Sequence, residues 1–354
     1  MAETLSSRKA PKGFPSGPLH VVAMGGGTGL SALLHGLKQY VPAHSLPPSE
    51  DSSVDISAVV TVSDDGGSSG RLRRDFDVLP PGDIRNCLVA LSEDEALLSR
   101  LFQFRFESGR GLKGHSFGNL FLTALTRITG DFPAAVKESS EVLAIKGRIF
   151  PATAANVVLE AVLENGQVVI GETKISKSRR RIETVRLRPR RCRPVPDTLA
   201  AIAQADLITL GPGSLFTSVI PNLLVEGMAD AIHNSKAIKA YFVNLMWQPG
   251  ETTEFRASDH IAVIHRHAGG KLIDYAVLNT HSVKPALRKR YARQNSQPVE
   301  NDIDAITAMG VDVVCGDLLQ QSGKIRHNPE AIAAIAMELA MEGRLRSLRS
   351  GWTL

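Results

Sequence analysis

The segment LHVVAMGGGTGLSALLHGLKQY, residues 19–40, restricts the fold more than any other stretch of the chain. The apolar run 19–24 predicts a buried strand. Gly25, Gly26, Gly27, Thr28 and Gly29 follow, and Leu30, Leu33, Leu34 and Leu37 then fall on one face of a helix over 30–40. Strand, glycine turn and helix in succession open an α/β sheet, in which ligands bind beyond the carboxyl ends of the strands. A glycine turn there lets backbone N–H groups approach a phosphate, and the helix N-terminus favours its charge. The other reading of the same residues is a turn that only lets strand and helix pack closely. Two familiar fingerprints fail: G-x-G-x-x-G from Gly25 needs glycine where Leu30 stands, and a P-loop needs Gly-Lys at Leu30 and Ser31.

The rest of the chain repeats the alternation. Val54–Val62 predicts a second strand, ending at Asp64 and Asp65. Residues 71–150 read mainly as helix, with Asp83 placed as an N-cap after Pro80-Pro81-Gly82. From 149 to 193 the pattern alternates, and Asn165-Gly166 marks a hairpin, so a small β-rich insertion is expected. A helix from Pro196, strands at 206–210, 238–245, 272–279 and 311–315, and a helix over 329–347 complete the pattern. Strands alternating with helices predict an α/β fold with an open, mostly parallel sheet. We expect a disordered tail over 1–18, one α/β domain over 19–328 containing the insertion, and a C-terminal helix within 329–354.

The 354 residues suffice for a sizeable core. Cys87, Cys192 and Cys315 form no C-x-x-C pair, which excludes a zinc knuckle and reads as free thiols in a reducing compartment. No run reaches the roughly 18 apolar residues of a membrane span. The first 18 residues lack the apolar core of a signal peptide. The expectation is a soluble, cytoplasmic protein.

Several loops could carry chemistry. Asp64 and Asp65 in TVSDDGGSSGRLR could hold a divalent cation bridging to phosphate, or read a ribose hydroxyl, or simply make an Asp-Gly turn. Asp64 is the first candidate for a catalytic group. Asp83 and Asn86 open the next helix. Gly114-His115-Ser116-Phe117-Gly118 matches the nucleophile elbow G-x-S-x-G, but a polar glycine-rich loop precedes it where that motif needs a strand. His115 and Asn119 therefore read as ligand-contacting or capping groups. Gly211, Gly213 and Ser214 repeat the glycine turn after the strand at 206–210, with Ser214 placed as an N-cap and Asn222 in the helix that follows. Two such loops on one sheet suggest a nucleotide held between them. Asn244 and Gln248 follow another strand and could contact base or sugar. His260, His265 and His267 have no acidic partner at ligand spacing, and the last two would share a face if they lay on a strand.

The basicity is local. Residues 172–193 hold ten basic and two acidic side chains, a net charge of +8 against +5 for the whole chain, so the remainder stands at −3. Arg186, Arg188 and Arg190 alternate as on one face of an edge strand. No aromatic residue falls in 172–193, so the stacking platform of a single-strand binder is missing, and a solvated charged edge is the simpler reading. Edge strands and this insertion leave room for a homodimer.

Taken in order, GGGTGLSALLHGLKQY, TVSDDGGSSGRLR, LPPGDIRNCLVALS, GHSFGNLFLTAL, LGPGSLFTSVIPNLLV and NLMWQPGET resemble the bacterial YvcK, or gluconeogenesis-factor, family, from about Val21 to Asn279. That family is related to CofD, the 2-phospho-L-lactate transferase. The resemblance implies a Rossmann-like three-layer fold binding a nucleotide derivative. For the YvcK branch it implies a UDP-sugar such as UDP-N-acetylglucosamine and a link to cell shape and gluconeogenic growth; we expect such a protein to act through a cell-envelope or metabolic protein partner. For the CofD branch it implies magnesium-dependent transfer from a nucleotide-linked phospholactate-type donor. Carried over by motif, Gly25–Gly29 and Gly211–Ser214 would hold the nucleotide, and Asp64 and Asp65 the metal. The chain departs from the family at Ser63, where Ala is usual, and at Trp247, where Thr is usual.

Overall fold

The computed structural model describes residues 17–42, 53–93, 97–178 and 180–351. Seven strands form one parallel sheet. In chain order they are β1 (Leu19–Gly25), β2 (Val54–Val60) and β3 (Arg148–Pro151), then, past the insertion, β7 (Leu207–Leu210), β8 (Ile238–Phe242), β9 (Tyr275–Asn279) and β10 (Asp312–Gly316). Their order across the sheet is β10-β9-β8-β7-β1-β2-β3. The chain thus grows outward from β1 in one direction and then from β7 in the other. β1 pairs with β2 from Leu19↔Val54 to Gly25↔Val60, and with β7 from Val21↔Leu207 to Met24↔Leu210. The strand order reverses between β1 and β7, and in open sheets the crevice at that reversal is where ligands bind.

β1 is central and covered on both faces, which is why it reads as an almost continuous apolar run. Val21, Val22, Ala23 and Met24 are at most 1% exposed. The turn into α1 (Gly27–Leu37) comes three residues earlier than the leucine periodicity marks, because Gly27 and Thr28 carry no periodic signal. Leu30, Leu33, Leu34 and Leu37 are buried as that periodicity predicts. The C-terminal helix Pro329–Gly351 crosses α1 at Gly36, where a methyl would collide with Pro329, and packs over β1, β7 and β8. Its Arg344 grips Asp206 with two bonds, Nε to Oδ1 at 2.6 Å and Nη2 to Oδ2 at 2.7 Å.

Between β2 and β3 lie α2 (Gly67–Phe76), α3 (Gly82–Leu91) and the helix Phe117–Thr129, among others. The insertion starts later than its alternating sequence suggests. Residues 148–151 join the main sheet as β3, paired in parallel with β2. The separate sheet is antiparallel, β5-β4-β6, from β4 (Val158–Leu163), β5 (Val168–Ile170) and β6 (Ile182–Arg188). A short helix, Glu172–Lys177, connects β5 to β6. Arg186 and Arg188 are exposed on β6, whereas Arg190 lies past its end, so the alternation does not continue to it. A hairpin of β11 (Leu319–Ser322) and β12 (Lys324–His327) precedes the last helix. Of the expected tail, only Gly17 and Pro18 fall within the described residues. No helix there is long and apolar enough to cross a membrane alone.

Candidate functional site

Both glycine turns stand at the carboxyl end of the sheet and touch. Gly26 is extended, with φ −168°, and Gly27 at φ 63° swings the chain into α1, leaving the first N–H groups of that helix without intrahelical acceptors. A methyl at Gly29 would sit 2.6 Å from the Pro212 carbonyl carbon and 3.0 Å from Gly213 N. One at Gly213 would lie 3.4 Å from Gly26 O. Only glycine lets the loops after β1 and β7 come this close. Asn222, fully buried, fastens them from below by donating to Gly25 O (3.3 Å) and Ser218 O (2.8 Å).

Above the turns opens a cleft of about 1100 Å³. Gly26, Gly27, Thr28, Gly29, Gly213 and Ser214 form its floor. Asn86 and Arg85 enter from α3, and Asn244, Trp247 and Gln248 from the loop after β8. Arg326 and His327 enter from β12. Ser214 occupies an N-cap position, but its hydroxyl caps nothing; it accepts from Gln248 Nε2 at 2.6 Å, and Asn244 Nδ2 in turn donates to Gln248 Oε1 at 2.8 Å. Arg85 is tied to Ser116 Oγ (2.7 Å) and Asn86 Oδ1 (2.6 Å).

The carboxylates lie beside this floor. Asp83 does not cap α3: Pro81 holds that position and Asp83 sits in the first turn. There its carboxylate lies against Gly26, where a Cβ would be 2.7 Å from Oδ2, and accepts the Gly27 N–H. Burial, aided by the Asp64 charge, pushes its pKa up to about 7. Asp64 accepts from Gly66 N at 2.8 Å, and burial lifts its pKa above the usual carboxylate range. Asp65 points elsewhere. Its Oδ1 accepts from Thr173 N (2.8 Å) and Thr173 Oγ1 (2.7 Å), and Oδ2 crowds Gly171 so closely that no side chain fits at 171. Asp65 thereby locks the insertion onto the core.

That lock brings in one carboxylate the sequence did not single out and sets it near another in the loop after β8. Glu172, at the head of the insertion helix, is pushed up to about 9, first by burial and then by the charges of Asp64, Asp83, Glu251 and Asp65. Glu251 lines the cleft. It accepts from Ser176 Oγ (3.3 Å) and Thr217 Oγ1 (3.4 Å), its Oε2 has no partner, and burial pushes it up to about 7. Nothing local in the sequence marks Glu172. Glu251 lies in the loop already picked out by Gln248, so its position was visible though its role was not.

His115 and Asn119 stand behind the acidic loop. His115 Nδ1 is 3.0 Å from Ser68 Oγ, and Asn119 Nδ2 donates to Ser69 Oγ at 3.5 Å. Ser116 caps its helix by accepting from Asn119 N (3.3 Å), so the elbow-like sequence is a helix start. The three histidines lie on the helix Ala257–Ala268, not on a strand. His260 is fully buried against Tyr241 Oη (2.9 Å), His265 Nε2 accepts from Ile273 N (3.3 Å), and His267 Nε2 accepts from Val185 N (3.3 Å). These are packing roles.

Among the described residues, no three His, Cys, Asp or Glu side chains are grouped to hold a metal by themselves. The donor set is nevertheless the oxygen chemistry a magnesium ion takes, provided a ligand phosphate completes its shell.

The model of the family described as 2-phospho-L-lactate transferase CofD matches residues 21–319. Gluconeogenesis factors from Bacillus subtilis and Listeria monocytogenes are 44% and 41% identical, over 91% and 88% of this chain and 98% and 93% of theirs. The chain belongs to the gluconeogenesis-factor (YvcK) branch of the CofD-like family. A crystal structure of a Bacillus halodurans protein agrees, with a TM-score of 0.85 at 43% identity over 92% of this chain and all of that one. A second structure, described as a member of the UPF0052 family, superimposes with a TM-score of 0.84 at 44% identity.

Proposed function

We propose that the protein is a cytoplasmic, nucleotide-sugar-binding regulator that senses a UDP-sugar such as UDP-N-acetylglucosamine and acts through a protein partner. It would tie gluconeogenic carbon use to cell-wall synthesis and cell shape. The observation that carries this reading is the pair of interlocked glycine turns at the strand-order reversal. They offer backbone N–H groups and a helix N-terminus to a diphosphate, below a cleft large enough for a nucleoside and a sugar. The test is calorimetric titration with UDP-N-acetylglucosamine in magnesium buffer, with GDP as comparison. Micromolar binding of the UDP-sugar, recovered intact, supports the sensor; silence towards it removes this reading.

The carboxyl groups of Asp64, Asp83 and Glu172 favour a second reading, a magnesium-dependent transferase acting on a nucleotide-linked phospholactate-type donor. A bound magnesium would neutralise charge at the phosphates. Asp64 and Asp83 would hold it, while the glycine turns fix the donor and Glu172 keeps its proton near neutral pH. GDP binding with the UDP-sugar silent would move the protein to this class.

A further inference from the structure

The cleft contains an indole whose every polar group is already used. The Trp247 main-chain N–H donates to Gln297 O (2.8 Å), its carbonyl accepts from Ser296 Oγ (2.7 Å), and Nε1–H donates to Phe255 O (3.0 Å). Three bonds hold the side chain and its backbone in one orientation. Yet Trp247 is only half-buried, and the surface it leaves open lines the cleft. Because its single donor is spent inside the protein, that surface is ring carbon and π cloud. Val89, Leu245, Met246, Ile325 and Tyr291 line the same cleft, but Trp247 lies in the loop whose Gln248 is bonded to the second glycine turn, and a fixed aromatic surface there suits a planar ring.

The neighbours set the direction. Ser214, Gln248 and Asn244 form a hydrogen-bonded chain running from the second glycine turn into the loop that carries Trp247. Asn244 Oδ1, at its far end, has no donor. Asp83 lies against Gly26 and Asp64 near Gly82 at the start of α3, the helix that brings Arg85 and Asn86 to the cleft. A nucleotide whose diphosphate lies on the two turns therefore meets the amides and indole of the loop after β8 along one wall and Arg85 and Asn86 of α3 along another. We propose that Trp247 is the base platform of this chain: the ligand's heterocyclic base stacks on the indole, and whatever the diphosphate carries extends towards Arg85 and Asn86 on α3. This rests on the nucleotide-binding reading above.

The chain has two tryptophans, Trp247 and Trp352, so Trp352→Phe leaves the indole of interest as the sole reporter in an otherwise complete protein. That protein is titrated with UDP, GDP, UDP-N-acetylglucosamine and inorganic pyrophosphate, by calorimetry and by fluorescence. Stacking predicts that each nucleotide that binds quenches Trp247, that UDP quenches as fully as its sugar conjugate, and that pyrophosphate binds without quenching. Trp247→Phe keeps nucleotide affinity within about threefold. Trp247→Ala weakens it about tenfold, in the range of one base–aromatic stack, and leaves pyrophosphate unchanged. Nucleotide binding without quenching overturns the proposal, whatever the variants do. Quenching by the UDP-sugar alone, with UDP bound silently, also overturns it and puts the sugar on the indole. If calorimetry detects no nucleotide at all, the nucleotide reading itself has failed and this proposal falls with it.

Discussion

Gly29→Ala separates the two turns without touching a charge or a hydrogen-bonding side chain. A methyl there would overlap Pro212 O, lie 2.6 Å from the Pro212 carbonyl carbon and 3.0 Å from Gly213 N, all backbone atoms with no rotamer to yield. Ordinary carbon contacts start near 3.5 Å, so the loops must part by about 1 Å. Forced expansion of this kind costs about 1–3 kcal/mol. The same displacement spoils a phosphate bed built from both loops, so nucleotide affinity should fall at least tenfold. Gly166→Ala is the control. It lies at the insertion hairpin with φ 77° and nothing within 4 Å, so it costs about 1–2 kcal/mol through backbone strain alone. Urea denaturation read by circular dichroism gives both stabilities, and calorimetry with UDP-N-acetylglucosamine gives both affinities. Gly29→Ala should lose stability and binding, Gly166→Ala stability only. A Gly29→Ala protein with unchanged stability and affinity would refute the claim that the two turns form one floor.

Other outcomes follow from the same geometry. Glu172, Asp83 and Glu251 have folded pKa values raised to about 9, 7 and 7, so their contribution to stability is complete below about pH 4 and is lost as pH rises through those values. Glu172→Gln should therefore flatten the fall in Tm between about pH 5 and 9, and a parallel fall in both proteins would count against the carboxylate cluster. Asp64→Asn should abolish any strengthening of UDP-sugar binding by magnesium; equal wild-type affinity in magnesium and in chelator would sink the cation role. Arg344→Ala leaves Asp206, 6% exposed, without its two-pronged partner and should cost about 3–5 kcal/mol in urea. Tyr241→Phe leaves His260 Nδ1 without its partner in the core and should cost about 1–3 kcal/mol by the same assay.

Much of the fold was legible because its signals are local. β1 and β2 are apolar runs that end in glycine or aspartate turns, and α1 shows its buried face through four leucines. Elements held by distant contacts were not. The β11–β12 hairpin reads LQQS and KIRH, polar enough to pass for loop, and is ordered by contacts such as Lys284 N to Gln321 Oε1 (2.7 Å) and Ile325 N to Tyr291 Oη (3.1 Å). β3 shares the alternation of the insertion beside it, and only its pairing with β2 assigns it to the main sheet. At the site, the turns and Asp64 announce themselves by residue type. Asp83 fits a capping pattern equally well, and only the approach of Gly26 reveals that it lies against the turn. Glu172 becomes part of the site because Asp65 draws its helix in, which no spacing in the sequence encodes.

The most direct test of the central claim is a crystal structure with UDP-N-acetylglucosamine bound. The diphosphate should lie on the N–H groups of Thr28, Gly29 and Gly213, between the ends of β1 and β7. Diphosphate density elsewhere, such as on the exposed arginines of β6, would contradict it.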